Sequence, residues 1–83
     1  MELVMFTSKS CIKCKILKRD LETKKIQFQE IYIDQGQGME RLEIEMKISN
    51  REVPKALPVL LDIEDQPSRM FVGDDALKYV KSL

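Results

Sequence analysis

Two cysteines three residues apart, Cys11 and Cys14, stand between an apolar run and a helical pattern, and this placement constrains the fold most. The run at residues 3–6 has the length and apolar character of a buried strand. Cys14, Leu17 and Leu21 then recur at helical spacing. The pattern therefore predicts a strand followed by a helix that begins at the cysteines.

Ser10 is predicted to be the N-cap of this helix, because serine side chains accept hydrogen bonds from unpaired helical amides.

A second strand should follow the helix. Residues 28–34 are rich in aromatic and β-branched side chains, which favours a strand. A strand–helix–strand unit joins parallel strands, so we expect the first two strands to pair in parallel.

The next segment predicts a second helix. Residues 39–48 place Met39, Leu42 and Met46 on one face, and Asn50 is a candidate for the helix end, because asparagine tolerates the left-handed backbone conformation found there.

The last third of the chain predicts a hairpin and a final helix. Pro58 opens an apolar strand at residues 59–61, the polar residues 64–68 form a turn, and residues 69–72 return as the pairing strand. The final helix starts after Gly73, and the residues predicted to face inward from it are Leu77 and Val80, with Leu83 as a third candidate.

Together these elements predict one α/β domain over residues 1–83, with the order β-α-β-α-β-β-α. Helices should cover both faces of a mixed four-stranded sheet, since the early strands are parallel and the late hairpin is antiparallel.

Charge and composition exclude several classes of function. The 14 basic and 14 acidic side chains balance, so the chain has no overall basic footprint for nucleic acid. Residues 1–29 nevertheless carry seven basic and three acidic side chains, which concentrates positive charge around the cysteines. There is no histidine, which excludes imidazole catalysis and a Cys/His metal site within one chain. No signal-peptide or membrane-spanning pattern is present, so we expect a cytoplasmic monomer without membrane contacts.

The cysteine pair has the arrangement that thiol–disulfide exchange requires. Cys11 lies where the helix dipole and unpaired amides favour a thiolate, which is the reactive nucleophile. Cys14 lies one turn later, on the apolar face, where it can attack a mixed disulfide formed by Cys11. Lys9, Lys13 and Lys15 surround the pair and should favour the thiolate further. These residues predict Cys11 as the attacking thiol and Cys14 as the resolving thiol.

Two other interpretations of the pair remain open at this point. Two thiolates are half of a tetrahedral zinc or iron–sulfur site, which a second copy of the chain or added thiols could complete. Two inert core cysteines are the other alternative. Within one chain we expect no metal site and no tightly bound cofactor.

The chain resembles the glutaredoxin family of the thioredoxin fold over almost its whole length. The strand that ends at Phe6-Thr7 before Cys11 and Cys14 matches the family pattern, as does the segment 28–34. Leu57-Pro58 resembles the family's Thr-Val-Pro segment. Gly73-Asp74-Asp75 resembles the segment that opens its last helix and binds glutathione.

This resemblance implies roles for the second half of the chain. Pro58 would be cis and would face Cys11, with Pro54 as the rival position. The backbone of Leu57 would pair with a bound peptide or glutathione, and Asp75 would accept the α-amino group of glutathione. The residues expected to bind substrate or glutathione are Lys9, Ile12, Lys13, Leu57, Pro58, Gly73, Asp74 and Asp75.

Departures from the family pattern leave the reductant open. Ile12 and Lys13 replace the usual Pro-Tyr between the cysteines, so the tyrosine that flanks glutathione is missing. Val72 stands where the family usually has a glycine before Gly73. The family also includes small redoxins that take electrons from thioredoxin reductase and pass them to ribonucleotide reductase. The resemblance therefore implies a thiol–disulfide oxidoreductase that acts on disulfide-containing proteins, with glutathione or thioredoxin reductase as electron donor.

Overall fold

The computed structural model describes residues 1–65 and 67–83, and in this part of the chain four strands and three helices follow the predicted order. Gln66, which belongs to the predicted turn at 64–68, lies outside the described residues. The elements are β1 (Leu3–Thr7), α1 (Ile12–Thr23), β2 (Phe28–Tyr32), α2 (Gly38–Ile48), β3 (Val59–Asp62), β4 (Arg69–Val72) and α3 (Asp74–Lys81).

Within the described residues, the four strands form one mixed sheet in the order β2-β1-β3-β4. β1 pairs in parallel with β2, which confirms the pairing predicted from the strand–helix–strand unit. β3 is antiparallel to both β1 and β4, so the predicted hairpin is also confirmed. The central position of β1 explains why all five of its residues are buried.

Helices cover both faces of this sheet. On one face α1 and α3 pack over alternate strand residues, forming a cluster of Leu3, Met5, Leu17, Leu21, Leu60, Ala76 and Val80. On the other face α2 packs over the intervening residues, forming a cluster of Val4, Phe6, Leu42, Met46, Val59 and Leu61. The predicted α/β class with helices on both faces is confirmed.

Two helices end in the same backbone motif. After α2, Asn50 has a φ of 56°, its N–H bonds to the Lys47 carbonyl, and the Arg51 N–H bonds to the Met46 carbonyl at 2.8 Å. This pairing satisfies carbonyls that the helix end leaves without partners, and it confirms Asn50 as the residue that ends the helix. After α1, Lys25 takes the corresponding conformation with a φ of 57°.

Two predicted core positions are wrong. Met39 is 41% exposed, because Gly38 takes the inward position at the start of α2 and lies against the backbone of Tyr32 and Ile33. Leu83 is also 41% exposed, since α3 ends at Lys81 and its buried residues are Ala76 and Val80. Among the described residues, no helix has both the length and the apolar character needed to cross a membrane.

Candidate active site

The sulfur of Cys11 caps α1. Cys11 has an extended backbone (φ −90°, ψ 109°), and its Sγ accepts the N–H of Cys14 at 3.1 Å. A serine hydroxyl or aspartate carboxylate usually makes this contact at a helix N-terminus. The prediction that Ser10 is the N-cap is therefore wrong, because the helix begins at Ile12 and Ser10 lies one residue too early.

The two cysteines are joined by a disulfide, with their Cα atoms 5.2 Å apart. Cys14 lies in the first turn of α1 and is only 1% exposed, whereas Cys11 is half-buried at the helix end. A partner approaching from solvent therefore reaches Cys11 first. This difference in exposure agrees with the prediction that Cys14 is the more buried thiol.

Hydrogen bonds from the end of β2 hold the segment that leads into Cys11. The Ile33 N–H donates to the Thr7 carbonyl at 2.9 Å, and the Lys9 N–H donates to Asp34 Oδ2 at 3.1 Å. The parallel pairing of β1 with β2 brings these two strand ends to the same edge of the sheet. The sequence analysis assigned no role to Asp34. An acidic residue at the end of the predicted strand 28–34, which was expected to lie parallel to β1, was the signal that could have identified it.

The segment around Pro58 connects to the same edge. The Leu57–Pro58 peptide bond is cis, as the resemblance implied, and Pro54 is not the cis proline. β3 is antiparallel to β1 and Val59 pairs with Phe6. Pro58, one residue before Val59, therefore lies beside the end of β1. The Gly73 N–H donates to the Pro58 carbonyl at 2.8 Å, which links the start of α3 to this segment.

Lys13 and Asp74 form an ion pair between the starts of α1 and α3. Lys13 Nζ lies 3.0 Å from Asp74 Oδ1, and the side chains are 53% and 67% exposed. The hydrogen bond and charge of Lys13 lower the pKa of the Asp74 carboxyl below its usual value, and Lys78 contributes in the same direction. The sequence analysis assigned the positive charge of Lys13 to the Cys11 thiolate. The structure pairs that charge with Asp74.

The other predicted binding residues lie in the segment before α1 and at the starts of α1 and α3. Ile12 is 73% exposed, directly beside Cys11, and the side chain of Lys9 is also exposed. Asp75 is exposed in the first turn of α3, and Gly73, which precedes it, has a φ of 60°. Their binding roles stay predictions.

A second ion pair lies next to Cys14. Lys18 Nζ is 3.1 Å from Glu30 Oε1, and this hydrogen bond raises the pKa of the Lys18 ammonium. Both side chains line a cavity of about 200 Å³ together with Thr7, Ser8, Lys9, Cys14, Lys15 and Tyr32. The sequence analysis treated Glu30 only as a strand residue and missed this pair.

Among the described residues, the two cysteines are not part of a larger group of metal-ligating side chains. Within residues 1–65 and 67–83, the structure contains no group of three or more cysteine, histidine, aspartate or glutamate side chains placed to hold a metal ion. Cys11 and Cys14 would supply two thiolates, so a tetrahedral site would need ligands from outside the chain. The metal-carrier interpretation stays untested.

A helix that begins at a disulfide-bonded cysteine pair and packs on a mixed four-stranded sheet defines a thiol–disulfide oxidoreductase of the thioredoxin-like fold. The particular family follows from the sequence. The glutaredoxin family model matches residues 3–57, and the chain belongs to the glutaredoxin family. The match ends at Leu57, so Pro58 and the start of α3 lie beyond it. No curated protein sequence matches the chain significantly.

Solved structures support the same fold. The glutaredoxin-like protein NrdH-redoxin from Escherichia coli is 19% identical with a TM-score of 0.68, and the alignment covers 100% of this chain and 95% of that one. The glutaredoxin grx-1 from Archaeoglobus fulgidus is 22% identical with a TM-score of 0.66, and the alignment covers 95% of this chain and 82% of that one. At these identities the two similarities establish the fold.

Proposed function

We propose that the chain is a dithiol oxidoreductase in which Cys11 attacks substrate disulfides and Cys14 resolves the mixed disulfide. The unequal exposure of the two sulfurs carries this proposal. Cys11 is half-buried at the end of α1 and can meet a partner, whereas Cys14 is 1% exposed and is disulfide-bonded to Cys11.

The reaction consists of two thiol–disulfide exchanges, and each forms one sulfur–sulfur bond as it breaks another. The Cys11 thiolate attacks one sulfur of a substrate disulfide, a Cys11–substrate bond forms, and the other substrate sulfur leaves as a thiolate that takes a proton from water. Cys14 then loses its proton and attacks Cys11 Sγ. The Cys11–Cys14 disulfide forms and the second substrate thiol leaves. Two electrons have passed from the protein to its substrate, and an external reductant must return them.

The reductant that returns these electrons is glutathione or thioredoxin reductase. One observation favours the second. NrdH-redoxin, which shares the fold, is described as glutaredoxin-like with a thioredoxin-like activity profile. The missing tyrosine between the cysteines points the same way. A redoxin that accepts electrons from thioredoxin reductase and serves ribonucleotide reductase is therefore the second candidate function.

Cysteine variants test the assignment of the two thiols. Cys11→Ser should abolish reduction of a protein disulfide, because it removes the nucleophile. Cys14→Ser should form a stable mixed disulfide with that substrate, which mass spectrometry detects as an adduct at Cys11. Full activity of Cys11→Ser, or a mixed disulfide that forms on Cys14 in Cys11→Ser while Cys14→Ser forms none, would show that the assignment is wrong.

A second experiment identifies the reductant. The oxidised protein is offered glutathione with glutathione reductase in one assay and thioredoxin reductase in another, with NADPH consumption as the readout in both. Metal analysis of the anaerobically purified protein is done in parallel. Zinc at one ion per two chains, or iron with sulfide at one cluster per two chains, without turnover in either assay, would favour the metal-carrier alternative.

A further inference from the structure

The ion pair of Lys13 and Asp74 lies at the end of the molecule where substrate has to approach Cys11. Lys13 stands between the two cysteines, and Asp74 is the first residue of α3. α1 and α3 pack on the same face of the sheet, and the ion pair shows that their N-terminal ends are neighbours. The 3.0 Å contact between Lys13 Nζ and Asp74 Oδ1 joins those ends beside Cys11.

Charges of opposite sign are separated across this rim. On the α1 side, Lys9 and Lys15 are exposed as well, and the Lys9 N–H donates to the Asp34 carboxylate. On the α3 side, Asp75 follows Asp74 and is exposed as well. The α1 half of the rim is thus mainly basic, the α3 half begins with two acidic residues and has Lys78 one turn later, and the Lys13–Asp74 pair is the contact between the halves.

An ion pair this exposed is easily exchanged. Both side chains are more than half exposed, so water and salt screen their attraction, and holding two flexible side chains together costs entropy. A bound segment with an acidic and a basic side chain could replace the single internal contact with two intermolecular contacts. A segment with the same charges in the opposite order would place like charges against each half.

We propose that Lys13 and Asp74 select the charge order of the substrate segment around its reacting cysteine, with an acidic residue on the Lys13 side and a basic residue on the Asp74 side. The inference rests on the proposed function, since it concerns the disulfide that Cys11 attacks. In the absence of substrate, Lys13 and Asp74 pair with each other. The chemistry of the two exchange steps is unchanged by it.

Two peptides of identical composition test the charge order. Glu-Ala-Cys-Ala-Lys and Lys-Ala-Cys-Ala-Glu are acetylated, amidated and oxidised to symmetric disulfides, so that their charged side chains differ only in order. Each is reduced by the dithiol form of the protein at low ionic strength, and the released peptide is measured by chromatography. The readout is the ratio of the two rates within one protein preparation, which does not depend on the active fraction.

The decisive variant is the double charge exchange Lys13→Glu with Asp74→Lys, which keeps an ion pair but reverses its direction. The wild-type protein should prefer one peptide by about two- to fivefold, as expected for exposed charge contacts. The exchange should reverse that preference, and about 0.5 M salt should bring both ratios near one. The control exchanges the pair on α2, whose Arg41 Nε lies 3.2 Å from Glu45 Oε1, by Arg41→Glu with Glu45→Arg. This control should keep the wild-type preference.

The outcomes separate this inference from the proposed function. Equal rates for both peptides in the wild-type protein would overturn the charge selection but leave the dithiol mechanism intact. A preference that survives the Lys13–Asp74 exchange unchanged, or that the α2 exchange reverses, would overturn it as well. Failure to reduce either peptide, together with the absence of a Cys11 adduct in Cys14→Ser, would contradict the proposed function itself.

Discussion

Gly38→Ala tests how closely the start of α2 approaches the end of β2. A Cβ atom at Gly38 would lie 2.6 Å from the Tyr32 carbonyl carbon and 3.1 Å from the Ile33 Cα, and it would contact the Tyr32 carbonyl oxygen even more closely. These are backbone atoms, so no side-chain rotation relieves the overlap. Either α2 or the end of β2 has to move.

The size of the effect follows from opposing contributions. Forcing an extra carbon into a packed site typically costs about 1–3 kcal/mol, and rigid backbone neighbours place Gly38 at the upper end of that range. Alanine is the better helix former by up to about 1 kcal/mol, although less at a first helical residue. We therefore expect Gly38→Ala to lower the free energy of unfolding by about 2 kcal/mol.

Gly36→Ala is the matched control. A Cβ at Gly36 would meet no atom within 4 Å, but its φ of 52° is unfavourable for alanine, and we expect a loss of about 1 kcal/mol. Urea unfolding followed by circular dichroism measures both variants. A Gly38→Ala protein as stable as the wild type, or more stable than Gly36→Ala, would refute the close contact.

The same substitution should also affect the cysteines. A shift at Tyr32 and Ile33 moves the N–H that bonds to the Thr7 carbonyl, and with it the segment that leads to Cys11. Gly38→Ala should therefore change the rate at which Cys11 reacts with a small disulfide reagent, whereas Gly36→Ala should react like the wild type. Equal rates in the two variants would show that the end of β2 does not position Cys11.

Two further predictions concern the core and the site rim. Leu60→Ala, in the central strand β3 with no exposed side-chain surface, should lower the free energy of unfolding by about 2–5 kcal/mol, whereas Ile44→Ala, at a 55% exposed position, should change it by less than about 0.5 kcal/mol in the same urea titration. Lys13→Gln should raise the pKa of the Asp74 carboxyl towards its usual 3.8, as measured by NMR titration. Because that pKa is lowered in the folded protein, the stabilisation is present above pH 3.8 and is lost as the pH falls through the folded value, so wild-type and Lys13→Gln stabilities should converge in acid. A constant difference between them across this range would contradict the contact.

The order of elements could be predicted because local patterns determine it. Cys14, Leu17 and Leu21 share one helical face in the sequence, and they are the buried residues of α1 in the structure. The short apolar segments 3–6 and 59–61 predict central strands, and both are buried. Asn50 carried the conformational preference that ends α2, so its role was also visible in advance.

Other features depend on contacts that no local pattern encodes. Met39 fitted the helical stripe, but the close approach of α2 to the end of β2 gives the inward position to Gly38. The contact between Lys13 and Asp74 joins residues 61 positions apart through the ends of long or flexible side chains. Sequence proximity instead suggested that Lys13 serves the nearby thiolate. For the candidate site, the sequence predicted that a helix begins at the cysteine pair but not that Lys13 pairs with Asp74.

The sulfur that caps α1 is also the sulfur proposed to react, so every turnover changes the acceptor at the start of that helix. The N–H of Cys14 points at Cys11 Sγ, which alternates between a bonded disulfide sulfur and a charged thiolate. A charged sulfur accepts this hydrogen more strongly than a disulfide sulfur does. The amide of Cys14 should thus exchange with deuterium more slowly in the reduced protein, which makes one backbone proton a native reporter of the redox cycle.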